Sequence, residues 1–523
     1  MIQSNMFESA PSTPPKSNRR GKGRARRIAQ RTEEKPVFFP SPPGQIGGAY
    51  KPLSPDALQA VLNTAMRILE EIGMGLAPKR LELQAIEKGA FLNERGRLCY
   101  PRAMIEDIID GAAKHFVLHG RDPQYDIEVG GERVFFGTGG AAVKTLDLDS
   151  GLYRASSLRD LYDFTRLVDT LPNIAWFTRC CIATDVEDPL DLDINTVYAL
   201  LKGTQKPIGT SITLAEHVPA IIDMFDQCLG AQGSFRRKPF CKAHISPVVS
   251  PLRYGEDAVE VALACIEHNF PINAIIAAQS GATAPATLAG MLAQTTAETL
   301  AALAMINVFA PGHPVIFSNW PFVIDLRSGA FCGGGGEISF LNAAAGQIGN
   351  HLELPTGVAS SMSDAKAVDA QMGAEKALSA LATGLAGANM VYESCGMTAS
   401  LLGASFEAFL LDNDMIGHIQ RVLRGAEINE ETLAFEAIRE TVFGAGHFLG
   451  AQHTFNAMER DYFYPHFADR LAPDSWQELG AKDIWSVANA NAKEILATHR
   501  PNYISAKADE NIRAAHTIAL PPS

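Results

Sequence analysis

The sequence lacks the short motifs that mark common metal and hydrolase sites. It has no His-Glu-x-x-His, in which two metal ligands and a base share one helix face, and no Gly-x-Ser-x-Gly nucleophile turn. His447 and His453 are six residues apart, which does not put them on one face of a helix. These absences predict a chain with no bound metal and no hydrolase triad.

The Cys-x-x-Cys spacing of redox and metal sites is also missing. None of the eight cysteines belongs to a Cys-x-x-Cys pair, and most lie in apolar runs. A disulfide framework is typical of small secreted domains, whereas 523 residues can enclose a large hydrophobic core. No secretory leader is recognisable, because the basic residues near the start are not followed by an apolar segment. We therefore expect reduced, buried thiols in a cytoplasmic protein.

The sequence has no long uninterrupted apolar segment and little excess positive charge outside one tail. The most apolar stretch, Thr287–Ala310, contains Gln294 and Glu298 and predicts a buried helix instead of a membrane span. The net charge is −13, and removing the eight basic residues of Lys16–Arg31 leaves −21 on the remainder. An acidic body disfavours nucleic acid as a partner and suits a cationic or neutral small substrate.

Composition divides the chain into four segments. Residues 1–45 are rich in Pro, Ser, Gly and Arg, lack periodic apolar residues, and predict a disordered basic tail. Residues 46–133 begin with a helical pattern after Ser54 and continue with short alternating pieces, which indicates an α+β cap. Residues 134–425 form the main domain, and residues 426–523 predict a helical extension.

The main domain repeats one unit, a short apolar run followed by a helical pattern. Regular alternation of strands and helices indicates a parallel sheet, and eight strands buried on both faces predict a closed (β/α)8 barrel of the TIM type. A doubly wound open sheet is the alternative. The eight runs are Val134–Gly139, Ile174–Ala183, Pro207–Thr213, Pro239–Ser246, Ile272–Ser280, Val315–Trp320, Gly357–Asp364 and Asn389–Ser394.

In such a barrel the functional residues gather where the strands end. Glu393 and Asp364 follow the last two strands, and we predict that these two acids are catalytic. Together with nearby aromatic residues they would form a pocket for a quaternary ammonium group, which ring faces and carboxylates attract. The alternative for each acid is a structural ion pair with Lys or Arg. The aromatic candidates are Phe136, Trp320, Phe322 and Tyr392.

Polar residues at other strand ends are candidates for holding a second group of the substrate. Arg179, Arg327 or His244 could bind a substrate carboxylate. Gln279 ends another predicted strand and is a further binding candidate.

A run of four glycines follows the sixth predicted strand. It lacks the Lys-Ser or Lys-Thr of a phosphate loop, so the glycines indicate close approach of a large partner or a mobile lid. A merely flexible loop is the alternative. The four residues are Gly333, Gly334, Gly335 and Gly336.

Eight regions of the sequence, spread over about residues 45–500, carry a family resemblance when taken in order. They are Tyr50–Ser54, Phe135–Ala142, Gln279–Pro285, Asp325–Gly329, Asp369–Gln371, Tyr392–Met397, Asp412–Met415, and Gly446–Gly450 with His453–Thr454. In these stretches the chain resembles the trimethylamine–corrinoid methyltransferase family, in its branch without pyrrolysine, which includes glycine betaine–corrinoid methyltransferases.

The resemblance implies a (β/α)8 barrel and methyl transfer from a methylated amine to the cobalt of a corrinoid. It also implies that a separate protein presents this corrinoid, with Gly333–Gly336 and the other loops at the strand ends facing it. The archaeal trimethylamine enzyme has pyrrolysine inside its barrel, and the matching position here falls near Ser361 and Met362, which are ordinary residues. The resemblance therefore favours a quaternary amine, such as glycine betaine, as the substrate.

The implied chemistry makes few demands on acid–base catalysis. Co(I) is a strong nucleophile and a quaternary ammonium leaves as a neutral amine, so neither zinc nor a general acid is required. The protein must supply in-line positioning and charge complementarity. A barrel lyase or isomerase and a non-catalytic betaine-binding protein are the alternatives, and homo-oligomerisation is left open.

Overall fold

The computed structural model describes residues 39–522, and a curled sheet of parallel strands lies at its centre. Eight parallel strands alternate with eight helices, and each strand overlaps one of the predicted apolar runs. The strands are β1 (Arg133–Phe136), β2 (Phe177–Thr178), β3 (Ile208–Thr210), β4 (Cys241–Ile245), β5 (Ile272–Ile276), β6 (Val315–Asn319), β7 (Thr356–Ala359) and β8 (Met390–Tyr392). The helices that follow them are α1 (Leu158–Asp169), α2 (Pro189–Gly203), α3 (Val218–Leu229), α4 (Glu256–Glu267), α5 (Leu288–Phe309), α6 (Gly336–His351), α7 (Ala370–Ala386) and α8 (Phe406–Arg424).

The strand order is sequential, since β2 through β8 pair in chain order and β8 pairs with β1. A doubly wound sheet reverses its order at a switch point, so that alternative is wrong. The two ends of this order also meet. Gly137, just after β1, forms a parallel bridge with Trp176, just before β2, and the Ala175 N–H donates to the Phe136 carbonyl at 2.8 Å.

A ninth strand completes the sheet beside β1. Gln45–Ile46 pairs antiparallel with Val134 and Arg133, at the start of β1. Residues 1–38 of the predicted basic tail lie outside the described residues. Of that segment, the structure therefore shows only the last seven positions, which approach β1 through the Gly44 N–H bonded to the Val134 carbonyl at 2.9 Å.

Glycines on the inner face of the sheet make room for large side chains. A Cβ at Gly137 would lie 2.1 Å from the indole of Trp176, and a Cβ at Gly357 would lie 2.1 Å from Ser318 Oγ and 3.1 Å from the Tyr392 ring. Trp176 and Tyr392 are both fully buried. The interior is therefore filled by side chains and is not a pore.

Four of the eight surrounding helices, α1, α2, α7 and α8, begin with side-chain caps. Ser157 forms a capping box with Asp160 at the start of α1, and Asp188 caps α2. The apolar stretch predicted as a buried helix is α5, and most of its residues, including Glu298, are buried. Within residues 39–522 no helix combines the length and apolarity needed to cross a membrane.

The segment before β1 combines helices with short strand pairs and packs against α5 and α6. Its backbone is fixed to α6 by a reciprocal pair of bonds, in which the Leu53 N–H donates to Gln347 Oε1 and the Gln347 amide donates to the Leu53 carbonyl, both at 2.9 Å. Its helices are Pro55–Arg67, Lys79–Glu87 and Arg102–Gly111, and its strand pairs are Phe91–Leu92 with Leu98–Cys99 and Phe116–Leu118 with Ile127–Val129.

The segment after α8 is helical and has two unlike halves. The first four helices bury none of their residues, whereas the last two bury Ala488, Ala492, Ala508 and Ile512. The six helices are Glu430–Leu433, Phe435–Phe443, Gln452–Arg460, Pro473–Glu478, Ile484–Thr498 and Ala506–Ala515.

Candidate active site

Glu393 follows β8 and has the most unusual environment among the predicted residues. Its backbone φ is +60°, in the left-handed region that a residue with a side chain rarely adopts, and only 2% of its surface is exposed. Its Oε2 is buried and has no hydrogen-bond partner among the described residues. A strained backbone with an unsatisfied buried acceptor costs stability and is a frequent feature of functional sites.

The Glu393 carboxylate lies in a recess lined by glycine. A Cβ at Gly139 would lie 2.9 Å from Oε1, and one at Gly140 would lie 3.0 Å from Oε2. Burial raises the pKa of Glu393 to about 8, although the nearby cations Lys376 and Arg179 act in the opposite direction. Glu393 forms no ion pair with any residue between 39 and 522 and is protonated near neutral pH, so a cation that binds beside it has to displace its proton.

Aromatic rings pack around Tyr392, the residue before Glu393, and three of the four predicted aromatic residues belong to this group. The ring centroids of Trp320 and Tyr392 are 5.3 Å apart, and those of Trp320 and Phe322 are 6.3 Å apart. Trp176, which the sequence analysis did not select, lies 5.2 Å from Tyr392. These rings provide the π faces that attract a quaternary ammonium group.

Phe136, the fourth predicted aromatic residue, lies elsewhere. Its ring approaches the backbone of Gly384 in α7, where an added Cβ would lie 3.1 Å from the ring, and it packs in the layer of α7 and α8. Successive side chains of a strand point to opposite faces, so Phe135 is the residue of this pair on the inner face. We therefore correct the prediction for Phe136, because it faces the helices.

A network of polar side chains extends from the inner face of β2 to β6. Thr178 Oγ1 is 3.5 Å from His244 Nε2, and the Asn273 amide is 3.3 Å from the same nitrogen. The Ser318 hydroxyl donates to the Asn273 oxygen, which assigns the amide nitrogen as the group facing His244. With this amide orientation Asn273 donates to His244 Nε2, and a neutral ring that accepts there would have its proton on Nδ1.

Two cations lie beside His244. Burial lowers the pKa of His244 well below its usual range, and Lys242 and Arg179 lower it further. The imidazole is therefore neutral at physiological pH. Arg179 donates to Ser211 Oγ at 3.0 Å and forms no ion pair with any residue between 39 and 522. An unpaired guanidinium with a neutral imidazole donor is suited to a carboxylate ligand.

Lys242 is a functional candidate that the sequence analysis missed. It is fully buried on β4, and its Nζ donates to Thr178 Oγ1 at 3.2 Å. The ammonium lies 4.9 Å from the centroid of the Trp176 ring and 5.4 Å from that of Tyr392. The only signal in the sequence is a charge in the middle of an apolar run, whereas the prediction considered only residues at the strand ends.

Asp364, the second predicted acid, contacts the glycine run. Its Oδ1 accepts from the Gly333 N–H at 2.6 Å and from the Ser400 hydroxyl at 2.6 Å, and its Oδ2 accepts from the Gly334 N–H at 3.3 Å. The run also packs closely on its far side, since a Cβ at Gly334 would lie 2.4 Å from the Glu375 carboxylate. Both Asp364 oxygens therefore have donors within the protein, unlike Glu393 Oε2.

Arg327 and Gln279 lie at the outer edge of the site. Arg327 occupies the turn between the short strands Phe322–Ile324 and Phe331–Cys332, with 91% of its side chain exposed, and it pairs with Asp325 at 2.8 Å. Gln279 is half-buried in a strand that pairs alongside Phe322. The structure does not bring Arg327 into the buried network of Arg179 and His244.

The site therefore has two ends of opposite charge. We call Glu393 the acidic end, and Lys242, Arg179 and His244 the basic end. The His244 ring lies 5.1 Å from Tyr392, so aromatic surface joins the two ends. In the described part of the chain no three His, Cys, Asp or Glu side chains come together as a metal site, and all eight cysteines are free thiols. The arrangement is suited to binding a small molecule with a cationic group.

The chain repeats a parallel strand followed by a helix, and charged and aromatic side chains gather where the strands end. This arrangement is typical of α/β enzymes. Residues 18–518 match the family described as trimethylamine methyltransferase (MTTB). The chain belongs to this family.

Known relatives cover nearly the whole chain. The glycine betaine methyltransferase of Desulfitobacterium hafniense is 27% identical over 90% of this chain and 97% of that protein. The trimethylamine methyltransferase MttB of Methanosarcina barkeri is 28% identical over 88% of this chain and 93% of that protein. Among solved structures, the Methanosarcina barkeri monomethylamine methyltransferase (MtmB) aligns with 85% of this chain and 94% of that chain, with 13% identity and a TM-score of 0.46.

Proposed function

We propose that this chain is a methyltransferase that moves a methyl group from a quaternary amine to the Co(I) of a corrinoid on a separate protein. The observation that supports this most is the buried Glu393 Oε2, which has no partner within residues 39–522 and belongs to the residue after Tyr392, whose ring packs on Trp320. A carboxylate and aromatic faces together attract a quaternary ammonium group, which has no N–H to donate. Glycine betaine, named for one relative, belongs to this substrate class, whereas trimethylamine, named for another, is a tertiary amine.

The transfer is a nucleophilic substitution at the methyl carbon. The carbon–nitrogen bond breaks and its electron pair stays on nitrogen, which leaves as a neutral tertiary amine. Cobalt donates the electron pair of the new carbon–cobalt bond and passes formally from Co(I) to Co(III), and no proton moves. The protein therefore has to hold the methyl group in line with the cobalt and to exclude water.

Glu393 acts mainly in binding according to this chemistry. The positive charge on nitrogen declines as the bond breaks, so a carboxylate beside it stabilises the bound substrate at least as much as the transition state. We therefore propose Glu393 as the residue that binds and orients the ammonium group. Asp364, predicted as a second catalytic acid, is proposed as the residue that holds the glycine run through Gly333 and Gly334.

Glycine betaine is the substrate that we propose within this class. Its carboxylate would bind Arg179 and the Nδ1–H of His244, while its ammonium group would lie between Glu393 and the rings of Trp320 and Tyr392. A neutral zwitterion complements a site with opposite charges at its two ends. Trimethylamine lacks the carboxylate and would leave the basic end without a partner.

We further propose that the curled sheet is a closed (β/α)8 barrel. The bridge between Gly137 and Trp176 and the bond from Ala175 to Phe136 support closure, because they join the first and second strands. The corrinoid protein would then dock on the loops at the strand ends, including Gly333–Gly336. Eight free thiols agree with a cytoplasmic location.

The test is a methylation assay with reduced corrinoid and a panel of quaternary amines. The purified chain, its cognate corrinoid protein and glycine betaine should produce methylated corrinoid and dimethylglycine together. The Glu393→Gln variant keeps the shape of the side chain and removes its charge, and we expect a fall in kcat/KM of about 100-fold or more, expressed mainly in KM. Glu510→Gln, at an exposed acid of the last helix that pairs with Lys507, is the matched control and should be unchanged.

Two results would contradict the proposal. Unchanged turnover of Glu393→Gln would remove the central assignment. Binding of betaine with no demethylated product, in the presence of the reduced cognate corrinoid protein, would identify a binding protein instead of an enzyme.

A further inference from the structure

Four lysines are buried within residues 39–522, and Lys242 is the one that bonds to neither a backbone carbonyl nor a carboxylate. Lys202 donates to the Pro521 carbonyl at 3.1 Å. Lys206 donates to three backbone carbonyls at 2.6–2.9 Å, and Lys376 pairs with Asp412 at 2.9 Å. Lys242 has one hydrogen bond within the described residues, to Thr178. An ammonium has three donors, so two donors of Lys242 are left without oxygen partners. Such a charge is costly, and burial lowers the pKa of Lys242 to about 7, so a carboxylate bound at the basic end would stabilise its charged form.

The position of Lys242 connects it to the substrate site. Its Nζ and His244 Nε2 both contact the hydroxyl of Thr178, at 3.2 and 3.5 Å. The rings of Trp176 and Tyr392 lie next to its ammonium and separate it from solvent. Lys242 therefore lies beside His244 at the inner side of the basic end and does not reach the surface.

The charge of Lys242 acts on His244, at the basic end, and not on Glu393, at the acidic end. Lys242 and Arg179 are the two charges that affect the pKa of His244, whereas Lys376 and Arg179 are the two that affect that of Glu393. The interior beside the aromatic rings thus has two cations without carboxylate partners, and one carboxylate without a cation partner. A ligand that is only a cation satisfies Glu393 and leaves both basic groups uncompensated.

We propose that Lys242 is a specificity-determining residue, which makes the site accept quaternary amines that carry a carboxylate and reject those that do not. Charges interact strongly in a buried site of low polarity. The field of Lys242 therefore disfavours a simple ammonium in the site and favours a ligand whose carboxylate lies at the basic end. Rejection of the wrong ligand through an unpaired charge is a general route to specificity. This inference rests on the proposed function.

Lys242 acts on the ligand through Thr178 and His244 and through its field, so it is a positioning residue. A purely structural role would change the affinity for all ligands by a similar factor. The proposed role changes the ratio of affinities between ligands with and without a carboxylate. The ratio is therefore the quantity to measure.

The experiment is calorimetric titration of the full chain, without corrinoid, with two matched ligand pairs. Glycine betaine is compared with choline, and proline betaine is compared with N,N-dimethylpyrrolidinium. We expect the wild type to bind at least one betaine about tenfold or more tightly than its matched cation. Lys242→Met, which has a similar shape and no charge, should lower this ratio severalfold, while Arg179 still binds the carboxylate.

A second variant covers the case in which Lys242→Met does not fold. Lys242→Gln removes the charge and keeps a donor for Thr178, and it should lower the same ratio. Lys493→Met, at an exposed lysine paired with Asp149, is the control and should keep the wild-type ratio.

The outcomes separate the inference from the function on which it rests. A ratio that stays at the wild-type value in both Lys242 variants overturns the inference. Equal binding of betaine and cation by the wild type also overturns it, while the proposed function stands. If no quaternary ammonium of either kind binds, the proposed function fails and the inference fails with it.

Discussion

The acidic and basic ends of the site are built in different ways. The acidic end is formed where β7 and β8 stop, and both Ser361 and Glu393 there have left-handed backbones, with φ of +69° and +60°. Each also has a buried side-chain oxygen without a hydrogen-bond partner in the described structure. The basic end is formed by regular strands, and none of its residues has a positive φ.

The two ends therefore also differ in how they affect the stability of the folded protein. The acidic end lowers the stability of the folded protein, because the Glu393 backbone is strained and its side chain lacks a partner. Binding a cation offsets part of this loss of stability. Because folding raises the pKa of Glu393 from 4.5 to about 8, its contribution to stability declines as pH rises between those values. At the basic end a hydrogen-bonded network holds the side chains before any ligand binds, which is preorganisation.

The largest effect is expected from removing the cation beneath the acidic end. Lys376→Met leaves Asp412 buried without its partner at 2.9 Å and frees the Ser361 carbonyl, to which Lys376 donates at 3.0 Å. We expect the free energy of unfolding to fall by about 3–5 kcal/mol, as is usual when one member of a buried pair is removed. Chemical denaturation at pH 7 measures this.

The control for that variant is Lys493→Met, whose salt bridge with Asp149 is exposed. It should change the unfolding free energy by less than about 0.5 kcal/mol. If Lys376→Met is as stable as the wild type, the acidic end does not depend on the Lys376–Asp412 pair.

The next effect concerns the pH dependence of ligand binding. Glu393 is protonated below a pKa of about 8, and only its carboxylate form attracts the ammonium group. Binding therefore has to release a proton below that pH, so the affinity for glycine betaine should fall about tenfold per pH unit below 8 and level off above it. Titration calorimetry between pH 6 and 9 measures this profile.

Glu393→Gln should bind weakly with little dependence on pH over the same range, because it has no proton to release. A wild-type profile that falls as pH rises through 8 would mean that Glu393 is not the group that binds the cation.

The different construction of the acidic and basic ends explains which of their features could be predicted from the sequence. The eight strand runs are visible because a strand buried on both faces is a nearly continuous apolar run between helices. Glu393 was found because it is the first charge after such a run. Its backbone strain and missing partner were not visible, because they depend on the packing of Gly139, Gly140 and the helix layer.

The basic end was harder to predict for a physical reason. Lys242 lies in the middle of a strand and is buried by Trp176 and Tyr392, which come from other strands. The direction of a side chain in a strand depends on its register, and a run of apolar residues does not show the register. The same uncertainty led to the selection of Phe136, whereas Phe135 is the residue of this pair on the inner face.

The smallest effect is expected from loosening one bond at the basic end. Ser211→Ala removes the hydroxyl that accepts from Arg179 at 3.0 Å, a hydrogen bond to a charged group. We expect the affinity for glycine betaine to fall about five- to tenfold, since Arg179 would have to be ordered on binding. Choline, which has no carboxylate, should bind the variant and the wild type equally well.

Ser328→Ala, in the exposed turn next to Arg327, is the matched control and should leave both affinities unchanged. An equal loss for betaine and choline in Ser211→Ala would contradict the separation of the two ends, because it would mean that Arg179 shapes the whole site instead of the carboxylate subsite alone. A loss for betaine only, together with a retained pH profile, would show that the basic end can be weakened while Glu393 continues to bind the ammonium group.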